Sequence, residues 1–247
     1  MSEAVDSRVW WSKALMIGAI VGIVAMPLGA LGTKFGIWPF TTGFLFLGIG
    51  VILAAIVFFL GIIGAVYTTK KGMRQDRSSI LIGIAISVVI LGLMANQFVT
   101  AGAVPPIHNI STDTDDPPQF ATLVAVREAE GANPLAYNAA ELADLQRGAY
   151  PFVEPYISAE AADVTLNRVV GVLEGLGMDV ANVDRDQGLV EATDETFWFG
   201  FKDDVAVRVR AANGGSIVDI RSVSRVGQSD LGKNAERIAA ILNGLSN

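Results

Sequence analysis

Three stretches of the chain are predominantly apolar, at about residues 14–33, 43–67 and 80–100, and none contains Asp, Glu, Lys or Arg. A helix needs about 20 such residues to cross a hydrocarbon core. Three charge-free runs of this length exceed ordinary buried helices, so the pattern predicts three transmembrane helices. Trp10, Trp11 and Trp38 flank the first run, as interfacial aromatics do. Its head, MSEAVDSRVWWSK, is charge-balanced, and two more spans follow it. That favours an uncleaved anchor over a signal peptide.

Beyond residue 100 the periods shorten to those of a water-soluble domain. Residues 101–120 carry two Pro pairs and a run of Asn, Ser, Thr and Asp, which predicts an extended tether laid over the domain. Residues 121–247 form the domain proper. Helices are predicted from Asn133-Pro134 to Pro151, from Ser158 to Gly177, and from Asp230 to Leu245 with Ser229 as N-cap. Strands are predicted at about 178–183, 189–193, 196–201, 205–211 and 216–226. Asn213-Gly214 is a strong hairpin signal. A two-residue turn there sets Val209 against Val218, Val207 against Ile220, Arg208 against Asp219 and Ala206 against Arg221. One register thus gives an apolar face and a cross-strand ion pair. The expected fold is α+β: three N-terminal transmembrane helices, then a twisted antiparallel sheet with helices packed on one face.

Charge sharpens the division. Residues 1–100 hold seven basic and three acidic side chains; residues 101–247 hold eleven and twenty-two. An acidic domain repels nucleic acid. The chain has no cysteine, which excludes disulfides, thiol catalysis and Cys-ligated metal. Between the second and third spans lie Lys70, Lys71, Arg74 and Arg77 against Asp76, whereas the first connection has only Lys34. The basic connection is expected to stay cytoplasmic. That orientation makes the N-terminus cytoplasmic and the C-terminal domain extracytoplasmic, which in a bacterium means the periplasm or the outer surface of the plasma (inner) membrane. A stripe of Gly18, Gly22, Ala25, Gly29 and Gly32 suits close helix packing, inside the bundle or, through Gly18, Gly22 and Gly29, against a membrane-protein partner. The lipid bilayer itself is the first expected partner.

Candidate chemistry gathers near the hairpin. Alternation sends Val218 and Ile220 into the core, with Ser222 and Ser224 on the same side. It sends Asp219, Arg221 and Arg225 to the other face, joined by Arg208 and Arg210. On a helix-free face these arginines would offer guanidinium forks to an anionic or carbohydrate-like group, with Asp203, Asp204 and Trp198 nearby. Arg221 and Arg225 need no partner in this register. The plain alternative is a solvated face stitched by weak ion pairs. His108 is the only histidine; Ser111 and Asp113 are too near it in sequence to signify a triad, and a hydrogen-bonded role in the tether is expected. Asp113, Asp115 and Asp116 lack the Gly and distal Glu of a calcium loop, so turn formation is expected of them. VGQSDLGKN lacks phosphate-loop spacing. No catalytic residue, metal or cofactor is assigned.

The segments IHNISTDTDDPPQF, AYP, TFWFGFKDDVAVRVR and GSIVDIRSVSRVGQSDLGKNAERI together resemble the family catalogued as domain of unknown function 1499. The resemblance covers about residues 105–245 and implies an envelope setting in a mostly bacterial family. It implies no activity, and no catalytic residue is carried over. Two functions are therefore carried forward. One is a non-catalytic envelope module binding a partner protein, lipid headgroup or glycan through the arginine-rich strand face. The other is an envelope hydrolase using Asp203, Asp204, Arg208, Arg221, Arg225 and Asp230. Adjacent strand residues such as Asp203 and Asp204 point to opposite faces, which argues against their forming an acid/base pair.

Overall fold

Long helices occupy the first hundred residues because the apolar runs satisfy every backbone group internally. The computed structural model describes residues 9–247. The first eight residues of the charge-balanced head, and with them the N-terminus whose side was expected, lie outside the described residues. The described chain divides into two compact units: residues up to Val99 with Phe197–Gly200, and Thr100–Thr196 with Phe201–Asn247.

The first unit contains α1 (Trp10–Lys34), α2 (Phe40–Lys71) and α3 (Arg74–Ala103), each long and apolar enough to cross a membrane. Glycine decides how α1 meets α2. A Cβ on Gly50 would stand 2.8 Å from the Gly22 carbonyl, and one on Gly29 would stand 2.7 Å from that of Gly43. The small-residue stripe therefore packs inside the bundle, against α2 and, at Gly32, against Trp38 of the turn before it. The basic connection is not a loop: helix runs to Lys71, turns at Gly72 in the left-handed region and resumes at Arg74. At the start of α3, buried Asp76 accepts hydrogen bonds from Ser12 Oγ (2.5 Å) and Val9 N (3.2 Å), closing the first turn of α1.

The second unit is built on a six-stranded antiparallel sheet. Its backbone order is β1 (Asn109–Ser111), β6 (Gly215–Ser224), β5 (Lys202–Ala212), β4 (Leu189–Glu195) and β3 (Asp179–Asp184). The short β2 (Tyr156–Ser158) shares the outer edge of β6 with β1. The hairpin register matches the expected one: Val209 faces Val218, Val207 faces Ile220, Arg208 faces Asp219 and Ala206 faces Arg221. Gly214 supplies the positive φ (86°) that the Asn213-Gly214 turn requires.

On one face, Val190, Val205, Val207, Val218 and Ile220 pack against α6 (Ala162–Gly175) and α7 (Lys233–Ser246). Leu166, Val169 and Leu173 come from α6; Ala235, Ile238, Ile241 and Leu245 come from α7. This is the helix-bearing face that the alternation predicts. The opposite face, expected to be free of helices, is covered. Phe120 and Leu123, at the start of α4 (Thr122–Glu130), sit on Ala206 and Val223.

Several boundaries differ from expectation for local reasons. α5 (Ala139–Ala149) starts well after Asn133, because the Asn133 amide is spent on the Ser224 and Gly227 carbonyls. Ser158 lies in β2 and does not cap α6. α7 is opened by Asp230, whose carboxylate accepts from the Gly232 and Asn234 amides, while Ser229 accepts only from Leu231 N. Residues 196–201 form no strand. They make a turn through Gly200 (φ 66°), closed by Phe201 N donating to Thr196 Oγ1.

Candidate functional site

The strand alternation that builds the core also sorts the charges. Asp204, Arg208 and Arg210 of β5, Asp219 and Arg221 of β6 and Arg225 just beyond it share the face under α4, with Glu191 and Thr193 of β4. Asp203 turns to the α7 face. The two adjacent carboxylates thus serve separate networks, as strand geometry requires.

Under α4, Asp204 is fully buried. Its Oδ2 accepts from Arg127 Nη1 (2.6 Å) and Arg225 Nε (2.9 Å); its Oδ1 accepts from Arg225 Nη2 (2.7 Å) and Thr193 Oγ1 (2.7 Å). Burial alone would raise its carboxyl, but the hydrogen bonds from Arg225, Thr193 and Arg127 win and hold it below the usual range. Arg225 gains a second carboxylate, Glu130, at 2.7 Å. Its hydrogen bonds to both carboxylates, that to Asp204 foremost, keep its guanidinium firmly protonated.

Among the described residues Arg221 is the largest fully buried side chain, and none of their carboxylates pairs with it. Nε donates to Asn109 Oδ1 (3.1 Å), Nη1 to the Pro118 carbonyl (3.1 Å) and Nη2 to the Leu135 carbonyl. The rings of Phe120 and Tyr137 lie 5.6 and 5.9 Å from its guanidinium carbon. Burial, aided by the charge of Arg127, lowers it to about 10, so it stays charged at neutral pH. One arginine thereby ties three separate points of the 109–137 segment to the sheet.

Asp219, also fully buried, receives Arg208 and Arg210 on a single oxygen, Oδ2, at 2.7–3.2 Å. The expected Arg208–Asp219 pair is therefore present. Arg208 reaches on to Asp113 (3.2 Å) and Asp116 (2.8 Å). Asp113 Oδ1 meanwhile accepts from the Asp115 and Asp116 amides, the turn-forming role expected of this run. Arg210 is the most open of the four arginines, its side chain 46% exposed.

On the α7 face, Arg237 bridges Asp194 and Asp203, both at 2.7 Å, and donates to Ser222 Oγ and Asn234 Oδ1. Asn234 donates in turn to the His108 carbonyl and Ser224 Oγ. The His108 ring lies 3.3 Å from the Gln228 carbonyl, and its place is the expected one in the tether. Trp198 stands apart from these networks, in the β4–β5 turn. Asp230 is spent on the α7 amides, and burial pushes its carboxyl up.

The expectation that Arg221 and Arg225 lie on an open face without partners is thus corrected: both are buried, Arg221 on Asn109 and the Pro118 and Leu135 carbonyls, and Arg225 on Asp204, Thr193 and Glu130. Five charged participants were not among the expected site residues: Arg127, Glu130, Glu191, Asp194 and Arg237. Glu191 is fully buried and accepts from the amides of Ala121, Thr122 and Leu123, so it caps α4 from another strand. For Arg237 a signal existed, since it lies four residues before Ile241 on the apolar stripe of α7.

One open cleft adjoins this region, with a volume of about 290 Å³. Thr112, Thr114, Gln146, Arg147 and Glu154 supply its polar lining. Arg147 donates to Thr114 Oγ1 (2.9 Å) and is 56% exposed at its side chain.

An antiparallel α+β domain preceded by three membrane-length helices, with its arginines turned inward, defines a membrane-associated protein. The chain belongs to the family described as protein of unknown function (DUF1499), whose model matches residues 109–245. No curated protein matches the chain.

Proposed function

We propose that the protein is a membrane-anchored, non-catalytic module of the bacterial envelope. Its C-terminal domain would lie on the periplasmic side and bind an anionic or carbohydrate-like group of an envelope component. The observation that carries this reading is the pairing of the buried charges. The Asp and Arg side chains a hydrolase would need are engaged with one another or, like Arg221 and Asp230, with the backbone, and Asp203 and Asp204 serve opposite faces. Binding then falls to the rim still open to solvent. There Arg210 stands beside Asp113, and the next residues, Thr112 and Thr114, line the cleft that holds Arg147.

The periplasmic side rests on Lys70, Lys71, Arg74 and Arg77 around the α2–α3 turn. A reporter fused after Asn247 should be active only where periplasmic reporters are active. Cytoplasmic activity would reverse the orientation and remove the envelope component from reach.

The binding rim is tested by a photocrosslinker at Thr114 in native membranes. Arg147→Ala with Arg210→Ala should abolish the adduct, while stability changes by no more than about 1 kcal/mol, as for exposed pairs. An adduct of unchanged yield would sink the cleft as the binding site.

A further inference from the structure

We infer that the β4–β5 turn is a membrane-interface anchor, its Phe197 and Trp198 side chains seated in the phospholipid headgroup layer. Both are large and exposed, at 71% and 54%. They pack on each other edge to face, with centroids 5.2 Å apart, and form a small aromatic knob. A water-soluble domain has no use for such a knob at a turn, whereas Trp and Phe side by side suit the boundary between headgroups and acyl chains.

The place of the turn within the domain names the occupant. The chain leaves α3 at Ala103 and enters the domain through residues 104–108. There the His108 carbonyl accepts from Ser224 N (3.0 Å), and the Ile107 carbonyl from Asp230 N. Ser224 faces Asp203, and Lys202 faces Glu195. The entering chain and the aromatic turn therefore share one end of the sheet. The turn at 185–188 lies at the other end of β4, seven residues and roughly 20 Å away at strand spacing. Entry of the chain and the aromatic turn at one end of the sheet is what an interface anchor requires, because the entry follows directly on a membrane-length helix. Such an anchor would fix the domain's tilt on the membrane, which a single covalent joint cannot do.

The chain has no cysteine, so one introduced cysteine takes one label. Full-length Phe197→Cys, Trp198→Cys and, as control, Asp186→Cys would be labelled with an environment-sensitive fluorophore. They would be reconstituted in phosphatidylcholine–phosphatidylglycerol vesicles. The labels at 197 and 198 should shift to the blue and be quenched by lipids spin-labelled near the headgroup, and the label at 186 should show neither. With Trp198→Ser added, the label at 197 should lose part of its quenching. Equal exposure of all three labels would overturn the anchor. So would a blue shift that disappears below one protein per vesicle, which would assign the turn to a second copy. A shift without lipid quenching would likewise overturn it, in favour of contact within the protein. The result does not depend on which side of a cell membrane the domain occupies, so it stands or falls separately from the proposed orientation.

Discussion

Asp204→Ala is expected to weaken the C-terminal domain by about 3–5 kcal/mol, because it leaves two buried guanidinium groups without their common carboxylate. Arg127 and Arg225 are 3% and 6% exposed at their side chains, so water cannot replace what they lose. Hydrogen exchange of β5 and β6 amides in the full-length protein reads the effect directly, without dissecting the chain. Exchange at wild-type rates would show that the pair of arginines is stabilised elsewhere. The same carboxylate sets a pH dependence. Its folded pKa lies below the unfolded value of about 3.9, so its contribution is complete above that value and is lost as pH falls through the folded pKa. Acid unfolding should accordingly begin with the α4 face, and Asp204→Ala should flatten that limb of the profile.

Arg221→Ala is expected to cost about 4 kcal/mol by a different route, the loss of a fully buried side chain together with the orphaning of acceptors. Asn109 Oδ1 and the Pro118 carbonyl would remain buried without donors, and the part-buried Leu135 carbonyl would lose its own. Exchange should rise first in residues 109–137, which lose their common fastener, and only then in β6. Arg221→Lys should rescue little, because one ammonium cannot span three acceptors held in guanidinium geometry. Arg210→Ala provides the contrast, an open arginine whose carboxylate keeps Arg208. Equal exchange in Arg221→Ala and Arg210→Ala would mean that the segment is held by its apolar contacts alone.

The hairpin was legible because Asn213-Gly214 fixes its length, and a fixed length fixes which residues oppose. From that parity came the correct face for every arginine. What covered the face was not legible. The covering segment has Pro pairs and polar turns where a helix would show a 3.6-residue period. Helix α4 gives no local start signal because its cap, Glu191, lies about 70 residues further along. A strand face of Arg and Asp also reads alike whether water or another part of the chain lies over it. Two further errors have the same origin. The aromatic run at 196–201 has strand composition, but Gly200 bends it into a turn. Asn133-Pro134 has the look of a helix start, but the Asn133 amide is drawn off to the backbone beyond β6.

The position of β1 has a consequence for the order of events in making the protein. Asn109, the first strand residue of the domain, waits for Arg221, 112 residues later. At synthesis rates of about 5–20 residues per second, that is roughly 6–22 s during which the early segment has no sheet to join. Closing so long a loop is slow and precedes any reward from the contact. The strap with its arginine-binding carbonyls is therefore made first and placed last, and the domain stays open until its final hairpin arrives. A chain that cannot close early is one that can still be threaded through a translocation pore.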